Sequence, residues 1–212
     1  MEIVIASHNV HKIKEIRDLF KALLRQPPDL TSLLNYPHYT PPPYQGKTLQ
    51  ENAETKAIHA AKTLNKWVLA DDSGLVVPAL SDPNNLQANL SKYFAGDDAT
   101  DSENIRKLLQ ELQNRSGLER AAYYECCLAL ASPDEVKKVA TGICEGYIST
   151  EESGRKGFGY DGVFAKHDYE KTFAELDETA KNRISHRRKA FEKLALYLES
   201  PKPRPPKGTP KT

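Results

Sequence analysis

The chain has 212 residues, of which 39% are hydrophobic and 28% are charged, a balance that excludes a disordered chain and predicts one domain with a buried core. Its 30 basic and 29 acidic residues leave a formal net charge of +1, so no global basic field draws it onto nucleic acid or a membrane surface. We therefore expect a small anionic ligand that is bound by local cations, and neither nucleic acid nor a membrane as a partner.

The predicted elements follow from hydrophobic periodicity and from capping and turn residues. In chain order they are a strand (1–6), a helix (12–24), an extended Pro-rich loop (37–43), a helix (48–64), a strand (67–70), a helix (101–112), three strands (120–131, 137–150, 159–165) and a helix (184–198). Thr48 and Glu51 have the pattern of a capping box for the second helix, and Asp101 or Ser102 is expected to cap the third. The order predicts a single α/β domain with a long mixed β-sheet and flanking helices, in two lobes around a central cleft.

The ends of the chain and its cysteines favour a cytoplasmic protein. We expect no signal peptide, because the chain enters a strand at once, and no apolar run approaches membrane length. Cys126, Cys127 and Cys144 lack the paired spacing of metal ligands, so free buried thiols in a reducing compartment are expected. Residues 199–212 are basic and rich in proline, which predicts a disordered tail after a domain over residues 1–198.

The most informative segment is residues 68–74, where an apolar strand is followed by Asp71, Asp72, Ser73 and Gly74. A strand that ends in charge delivers that charge to the edge of a sheet, where sites usually form. Two adjacent carboxylates repel each other, so a divalent cation or a proton is their natural companion. The alternative is a turn whose polar side chains only cap the backbone.

Two further polar clusters lie at predicted helix starts. The first consists of Ser7, His8, Asn9, Val10, His11 and Lys12. Backbone donors at a helix N-terminus and a lysine can hold phosphate oxygens, although a simple helix cap is the alternative. The second consists of Glu51, Asn52 and Lys56. The carboxylate of Glu51 is a hard oxygen ligand that suits Mg²⁺, and its alternative role is the capping box.

A fourth cluster is the glycine-rich segment over residues 154–162, which contains Phe158 and Tyr160. Its glycines indicate a backbone that a ligand can approach closely, with an aromatic ring available to stack on a planar base. A hairpin loop is the alternative. Farther along the chain, Lys181 and the run His186, Arg187 and Arg188 offer donors to a ligand or to solvent.

Five motifs along the chain occur in the order typical of one family. They are Ser7-x-Asn9-x-x-Lys12-x-x-Glu15, Glu51-Asn52-Ala53-x-x-Lys56-Ala57, Ala70-Asp71-Asp72-Ser73-Gly74-Leu75, Gly157-Phe158-Gly159-Tyr160-Asp161 and Ser185-His186-Arg187. Together they resemble the inosine triphosphate pyrophosphatases, also called non-canonical purine NTP pyrophosphatases, over about residues 1–198.

The resemblance implies a cytosolic, homodimeric, Mg²⁺-dependent enzyme that cleaves ITP, dITP and XTP to the monophosphate and pyrophosphate. It implies that Asp72 is the proton acceptor and, with Glu51, a metal ligand. The implied substrate-binding residues are Ser7, His8, Asn9, Val10, His11, Lys12, Lys56, Ser73, Phe158, Gly159, Tyr160, Asp161, Lys181, His186 and Arg187.

The chain departs from the family's pattern at several positions. Tyr93 stands where the family has an arginine, with Lys92 beside it as a substitute cation. Lys156 and Gly162 replace a glycine and a proline around the aromatic motif. Residues 43–45 lack the acidic metal ligand common in the family, so Glu51 gains importance.

Three other functions fit the sequence less well. A Maf-like nucleotide pyrophosphatase shares the reaction but opens with a Ser-rich, Arg-containing phosphate turn, unlike residues 7–12. A non-catalytic nucleotide-binding regulator would not need both Glu51 and Asp72. A nucleic-acid-binding module is disfavoured by the near-neutral charge.

Overall fold

The computed structural model describes residues 2–43, 48–80, 89–90 and 93–200. Within these ranges seven strands form one sheet, and their bounds are β1 Glu2–Ile5, β2 Asp29–Ser32, β3 Trp67–Val76, β4 Asn89–Leu90, β5 Ala121–Ala131, β6 Val136–Ile148 and β7 Phe164–Lys166. The α-helices in the described residues are α1 Val10–Leu23, α2 Leu49–Leu64, α3 Asp101–Glu111, α4 Glu178–Ile184 and α5 His186–Glu199. No helix in these ranges is long and apolar enough to cross a membrane.

The sheet is mixed, as predicted. Its order is β2-β1-β3-β5-β6-β7, with β1 parallel to β2 and β3, and the other pairs antiparallel. The short strand β4 pairs antiparallel with the end of β3. On that side of β3, β1 is paired as far as Leu69 and β4 from Leu75, so residues 70–74 face no described strand. This gap opens at the carboxyl end of β1, where ligands bind in open α/β sheets.

Helices cover the two faces of the sheet at one end. On one face, Ile16 of α1 and Phe191 of α5 pack with Leu69 and Leu128. On the other face, the alanines of α2 pack against Val68 and Ala129. The small alanine side chains allow this helix to lie close to the strands.

A separate hydrophobic cluster occupies the other end of the sheet, where Leu108 of α3 packs with Leu75, Tyr124 and Phe164. The predicted single α/β domain with two lobes is confirmed by this division of the core. The gap beside residues 70–74 lies between the two clusters.

The predicted end of the strand over residues 67–70 is wrong. Strand β3 does not stop at Asp71 but continues through Ser73 and Gly74 to Val76, paired with β5 along nine positions. This pairing provides hydrogen bonds for the backbone amides and carbonyls, and the two carboxylates pair with cationic side chains. The strand therefore continues through these charged residues.

Other boundaries also differ from those predicted. Strand β2 was not predicted, since it is short and mostly polar. Thr100, and not Asp101 or Ser102, caps α3 through a bond from the Glu103 amide to its hydroxyl. Residues 159–163 form turns, so the last strand begins only at Phe164. The predicted C-terminal helix (184–198) corresponds to α5, whereas the short helix α4 before it was not predicted. Ser185 ends α4 and caps α5.

Several predicted elements are confirmed. Thr48 and Glu51 form the capping box of α2, residues 37–43 contain no helix or strand, and β5 and β6 are long antiparallel strands. All three cysteines are buried and free. The expected tail lies largely outside the described residues, since α5 ends at Glu199 and residues 201–212 are not described. Lys92 also lies outside them. The domain bounds 1–198 stay a prediction.

Candidate active site

Adjacent residues of a strand point to opposite faces of the sheet, and this separates the two neighbouring carboxylates of β3. Asp71 faces α1 and α5, where it accepts hydrogen bonds from Lys12 and Arg187. Asp72 faces α2, where its Oδ1 lies 2.5 Å from the Lys56 Nζ. Each carboxylate therefore has a cationic side chain as its partner, on its own face of the sheet, and the divalent cation expected beside them stays a prediction.

Asp71 has donors on both carboxylate oxygens and no exposed side-chain surface. Its Oδ1 lies 2.5 Å from the Lys12 Nζ and 3.0 Å from the Ser73 hydroxyl. Its Oδ2 lies 2.8 Å from the Arg187 Nε and 3.2 Å from the Cys126 thiol. Burial alone would raise the pKa of Asp71, but the charges of Arg187 and Lys12 hold that pKa well below its usual value. Asp71 is therefore an anion that is fully bound to protein groups.

Glu15 of α1 joins two further cations. It accepts hydrogen bonds from the Arg187 guanidinium and, at 2.8 Å, from the Lys181 Nζ. The same Lys181 Nζ lies 2.6 Å from the Asp161 Oδ2. Cations and anions thus alternate in one connected series, which we call the ionic chain: Lys12, Asp71, Arg187, Glu15, Lys181 and Asp161. It runs from the start of α1 to the glycine-rich segment.

The turn between β1 and α1 is a helix cap that also places a cation. The Asn9 Oδ1 accepts from the backbone amides of His11 at 2.9 Å and Lys12 at 3.1 Å, and the Ser7 hydroxyl accepts from the Asn9 amide at 3.1 Å. The helix cap, which was the alternative for this cluster, is confirmed, and it fixes the first turn from which Lys12 reaches Asp71. Phosphate binding by these residues stays a prediction. His8 and Val10 are exposed beside it.

The glycine-rich segment is held against α1 and α4. Gly157 has a φ of +77°, and a Cβ there would lie 2.1 Å from the Asp161 Oδ2, so this position requires glycine. The Phe158 amide donates to that same oxygen at 2.9 Å. The Phe158 ring stacks on His11, with centroids 5.4 Å apart, and the Lys181 Nζ lies 4.9 Å from the ring centroid.

The two aromatic rings of this segment have different surroundings. Tyr160 is buried in the hydrophobic cluster near α3, so its ring is not available to stack on a ligand. Phe158 is half-buried beside His11 and keeps part of its surface open. The Gly159 amide donates to Asp101 of α3 at 2.6 Å, which fixes the segment from its other side.

The start of α5 lies unusually close to β6. A Cβ on Gly142 would lie 2.3 Å from both the Ala190 nitrogen and the His186 carbonyl oxygen, so glycine permits this approach. His186 is buried, with its ring stacked on Tyr124 at 4.6 Å. Burial, and next the charge of Arg187, hold the pKa of His186 well below its usual value, so the imidazole is neutral. Its Nδ1 has no hydrogen-bond partner within the described part of the chain.

The residues expected to hold a metal lie on α2 and β3. Asp72 is paired with Lys56, and Glu51, in the first turn of the same helix as Lys56, accepts from the Thr48 amide at 3.1 Å. Among described residues, no three His, Cys, Asp or Glu side chains form a group that could hold a metal.

The structure brings most of the predicted site residues together, and it adds residues that sequence reasoning missed. Glu15 and Cys126 were given no role in the site, and Asp71 was expected only to hold a cation or a proton with Asp72, although all three belong to or contact the ionic chain. Two signals existed for the carboxylates. Strand alternation separates Asp71 from Asp72, and the i, i+3 spacing on α1 places Glu15 on the same face as Lys12.

Comparison with known proteins supports the resemblance. The model of the Ham1 family matches residues 3–197. A dITP/XTP pyrophosphatase of Protochlamydia amoebophila is 54% identical over 201 residues, which cover 94% of this chain and 98% of that protein. A dITP/XTP pyrophosphatase of Chlamydia caviae is 51% identical, with 94% and 95% covered.

Solved structures give the same result. A HAM1 protein from Coxiella burnetii superimposes with a TM-score of 0.80 at 36% identity and covers 93% of this chain and 98% of its own. The Staphylococcus aureus Ham1 protein gives a TM-score of 0.78 at 37% identity, with 94% and 98% covered. With this fold, this site and matches over nearly its whole length, the chain belongs to the Ham1 family.

Proposed function

We propose that this protein is a nucleoside triphosphate pyrophosphatase that hydrolyses ITP, dITP and XTP to the monophosphate and pyrophosphate. The observation that carries the proposal is the ionic chain, which connects a cation at a helix N-terminus with an aromatic, glycine-rich segment across the gap in the sheet. Relatives named dITP/XTP pyrophosphatase, at 45 to 54% identity, support the same activity.

The phosphate groups would lie at the carboxyl end of β1. Lys12 and Lys56 flank this gap with side chains that are 19% and 16% exposed, so each ammonium group has an open side that a ligand can reach. The first turn of α1 adds backbone dipoles that favour an anion. These local cations supply the attraction that the net charge of +1 does not.

The purine would lie beside the glycine-rich segment. The half-buried ring of Phe158 offers an apolar face for stacking, and the neighbouring Lys181 is a cation held by two carboxylates. Hypoxanthine and xanthine carry an acceptor oxygen at the six-position, whereas adenine carries a donor there. A site with donors towards that position would leave adenine with an unpaired contact.

The donor chemistry of the metal residues fits Mg²⁺. Mg²⁺ is usually bound by one or two carboxylates and takes its other ligands from water and substrate phosphates. Asp72, with its side chain 12% exposed at the edge of the gap, and Glu51 would be those carboxylates. When bound, the ion would neutralise charge that develops on the phosphate oxygens during attack at the α-phosphorus. Asp72 would orient the attacking water and accept its proton, and Lys56 would move to the phosphates.

Two properties of the proposal concern the protein in the cell. A homodimer and a cytoplasmic location are implied by the family resemblance, and the three free, buried cysteines fit a reducing compartment. Light scattering on the full chain would measure the oligomeric state, and a monomer at micromolar concentration would contradict the first property.

The activity is tested by a pyrophosphate-release assay over ITP, dITP, XTP, ATP and GTP, with and without Mg²⁺. We expect release from the first three, at rates well above those with ATP and GTP, and loss of activity when EDTA removes the metal. Binding of ITP without product would favour a nucleotide-binding regulator. Equal rates with all five nucleotides would contradict the proposed selectivity.

A further inference from the structure

We propose that Asp71 is a positioning residue. Its carboxylate binds both Lys12 and Arg187 and thereby fixes the positions of these cations at the phosphate site. The inference rests on the proposed function. The two adjacent carboxylates of the motif then have different roles. Asp72 acts on the reacting groups, and Asp71 acts only through other side chains.

The surroundings of Asp71 leave no place for a metal or a water. Its side chain has no exposed surface, and donors from α1, α5, β3 and β5 occupy both of its oxygens. A carboxylate can accept about four hydrogen bonds, and Asp71 already accepts from four groups. The Asp71 side chain also points away from Lys56 and Asp72. Asp71 and Asp72 are adjacent in β3, so their side chains lie on opposite faces of the sheet, and Lys56 contacts the Asp72 side chain.

The two cations depend on Asp71 to different degrees. Arg187 also donates to Glu15 and, at 3.3 Å, to the Ser73 hydroxyl, so it keeps partners without Asp71. Among the described residues, Lys12 forms an ion pair with Asp71 alone. Lysine has a long side chain with many rotamers, so loss of this anchor would free its ammonium group over several positions. The main effect of removing the Asp71 charge is therefore expected at Lys12.

Two neutral donors orient the Asp71 carboxylate. The Ser73 hydroxyl lies 3.0 and 3.2 Å from its two oxygens. The Cys126 thiol reaches it from β5, and burial raises the pKa of this thiol well above its usual value, so it keeps its proton and can donate. The next residue, Cys127, faces α2 and packs with its alanines, which makes it a matched control.

The test compares Asp71→Asn with Asp72→Asn, two isosteric changes one residue apart. For Asp71→Asn we expect the KM for ITP to rise about ten- to a hundredfold, because a charge-assisted contact is lost, with a smaller fall in kcat and an unchanged Mg²⁺ concentration for half-maximal activity. Asp72→Asn should instead collapse kcat. If Asp71→Asn leaves KM within twofold of the parent, or shifts the Mg²⁺ requirement, the inference is wrong.

A double variant distinguishes positioning from a purely structural role. If Asp71 acts by placing Lys12, adding Asp71→Asn to Lys12→Met should raise KM by less than twofold further. If the effects of Asp71→Asn and Lys12→Met on KM are fully additive, Asp71 does not act by placing Lys12. A parent protein that releases no pyrophosphate would defeat the proposed function itself, whereas an active parent with a normal Asp71→Asn variant would defeat only this inference.

A second pair of variants covers the case in which Asp71→Asn does not fold. Cys126→Ala removes one donor from Asp71 and keeps its charge, and Cys127→Ala removes a thiol of equal size from the other face. We expect Cys126→Ala to raise the KM for ITP about two- to threefold, in line with one weak hydrogen bond, and Cys127→Ala to leave it unchanged. Equal KM values for the two variants would overturn the inference.

Discussion

Gly142 of β6 lies directly against the backbone of Ala190 in α5, so close that a Cβ on Gly142 would stand 2.3 Å from the Ala190 nitrogen. The same Cβ would lie 2.3 Å from the His186 carbonyl oxygen, one turn earlier in the helix. Gly142, which is two strands away from Ser73 in the sheet, thus determines how closely the first turn of α5, with His186 and Arg187, approaches the strands.

Gly142→Ala should therefore destabilise the protein and disturb the site together. We expect a loss of about 1 to 3 kcal/mol in the free energy of unfolding, because backbone atoms cannot move aside as a flexible side chain can. Urea unfolding measures this loss, and kcat/KM for ITP below the transition should also fall. The exposed neighbour gives the control, since Ile143→Val should change stability by less than about 0.5 kcal/mol. Parent-like stability in Gly142→Ala would show that α5 need not lie so close.

Asp72→Asn should leave the fold intact and reduce kcat for ITP about a hundred- to ten-thousandfold. The change keeps the shape of the side chain but removes the proposed proton acceptor and a metal-ligating charge. Steady-state kinetics at matched Mg²⁺, with far-ultraviolet circular dichroism as the fold control, give the measurement. Turnover within about twofold of the parent would exclude this role for Asp72.

Lys56→Met should strengthen metal binding in the absence of nucleotide. The Lys56 Nζ lies 2.5 Å from the Asp72 Oδ1, so a metal ion must displace it, and without it we expect the Kd for Mn²⁺ to fall about tenfold. Calorimetric titration with Mn²⁺ measures this. Lys62→Met, at an exposed position near the end of the same helix, removes equal charge and should change the Kd much less. Similar values for the two variants would mean that Lys56 does not compete with the metal.

Arg187→Ala should lower kcat/KM for ITP and for ATP by similar factors. Its Nε, Nη1 and Nη2 groups donate to Asp71, Glu15 and the Ser73 hydroxyl, so its donors serve the ionic chain rather than a purine. The ratio of kcat/KM for the two nucleotides is the quantity to measure. A loss much larger for ITP than for ATP would place Arg187 on the base instead.

Local sequence signals predicted the elements with strong periodicity or clear caps. The capping box of α2 and the β5–β6 hairpin are examples, since each depends on residues close together in the chain. The ionic chain depends on contacts between distant segments, such as Glu15 with Arg187 and Asp71 with Lys12. A local sequence pattern does not indicate which carboxylate pairs with which cation. The predicted length of β3 was wrong for the same reason, because the side chains that pair with Asp71 and Asp72 come from three helices.

Stability should fall in weak acid because of His186. Its pKa in the folded protein is well below the value of about 6.5 for an unfolded histidine, owing to burial and to the positive charges of Arg187, Lys181 and Lys12, which outweigh Asp71. Below about pH 6.5 the unfolded chain therefore binds a proton that the folded protein does not, and stability decreases as pH falls. The slope approaches about 1.4 kcal/mol for each pH unit, so about 1.4 kcal/mol should be lost between pH 7.5 and 5.5.

His186→Phe isolates this contribution, because phenylalanine keeps a ring to stack on Tyr124 but does not titrate. We expect the variant to lose about 1.4 kcal/mol less than the parent over the same pH interval, whatever its absolute stability. Urea unfolding at both pH values measures the difference, and His8→Gln, at an exposed position, should behave as the parent does. If the parent and His186→Phe lose equal stability between pH 7.5 and 5.5, His186 is not held neutral in the folded protein.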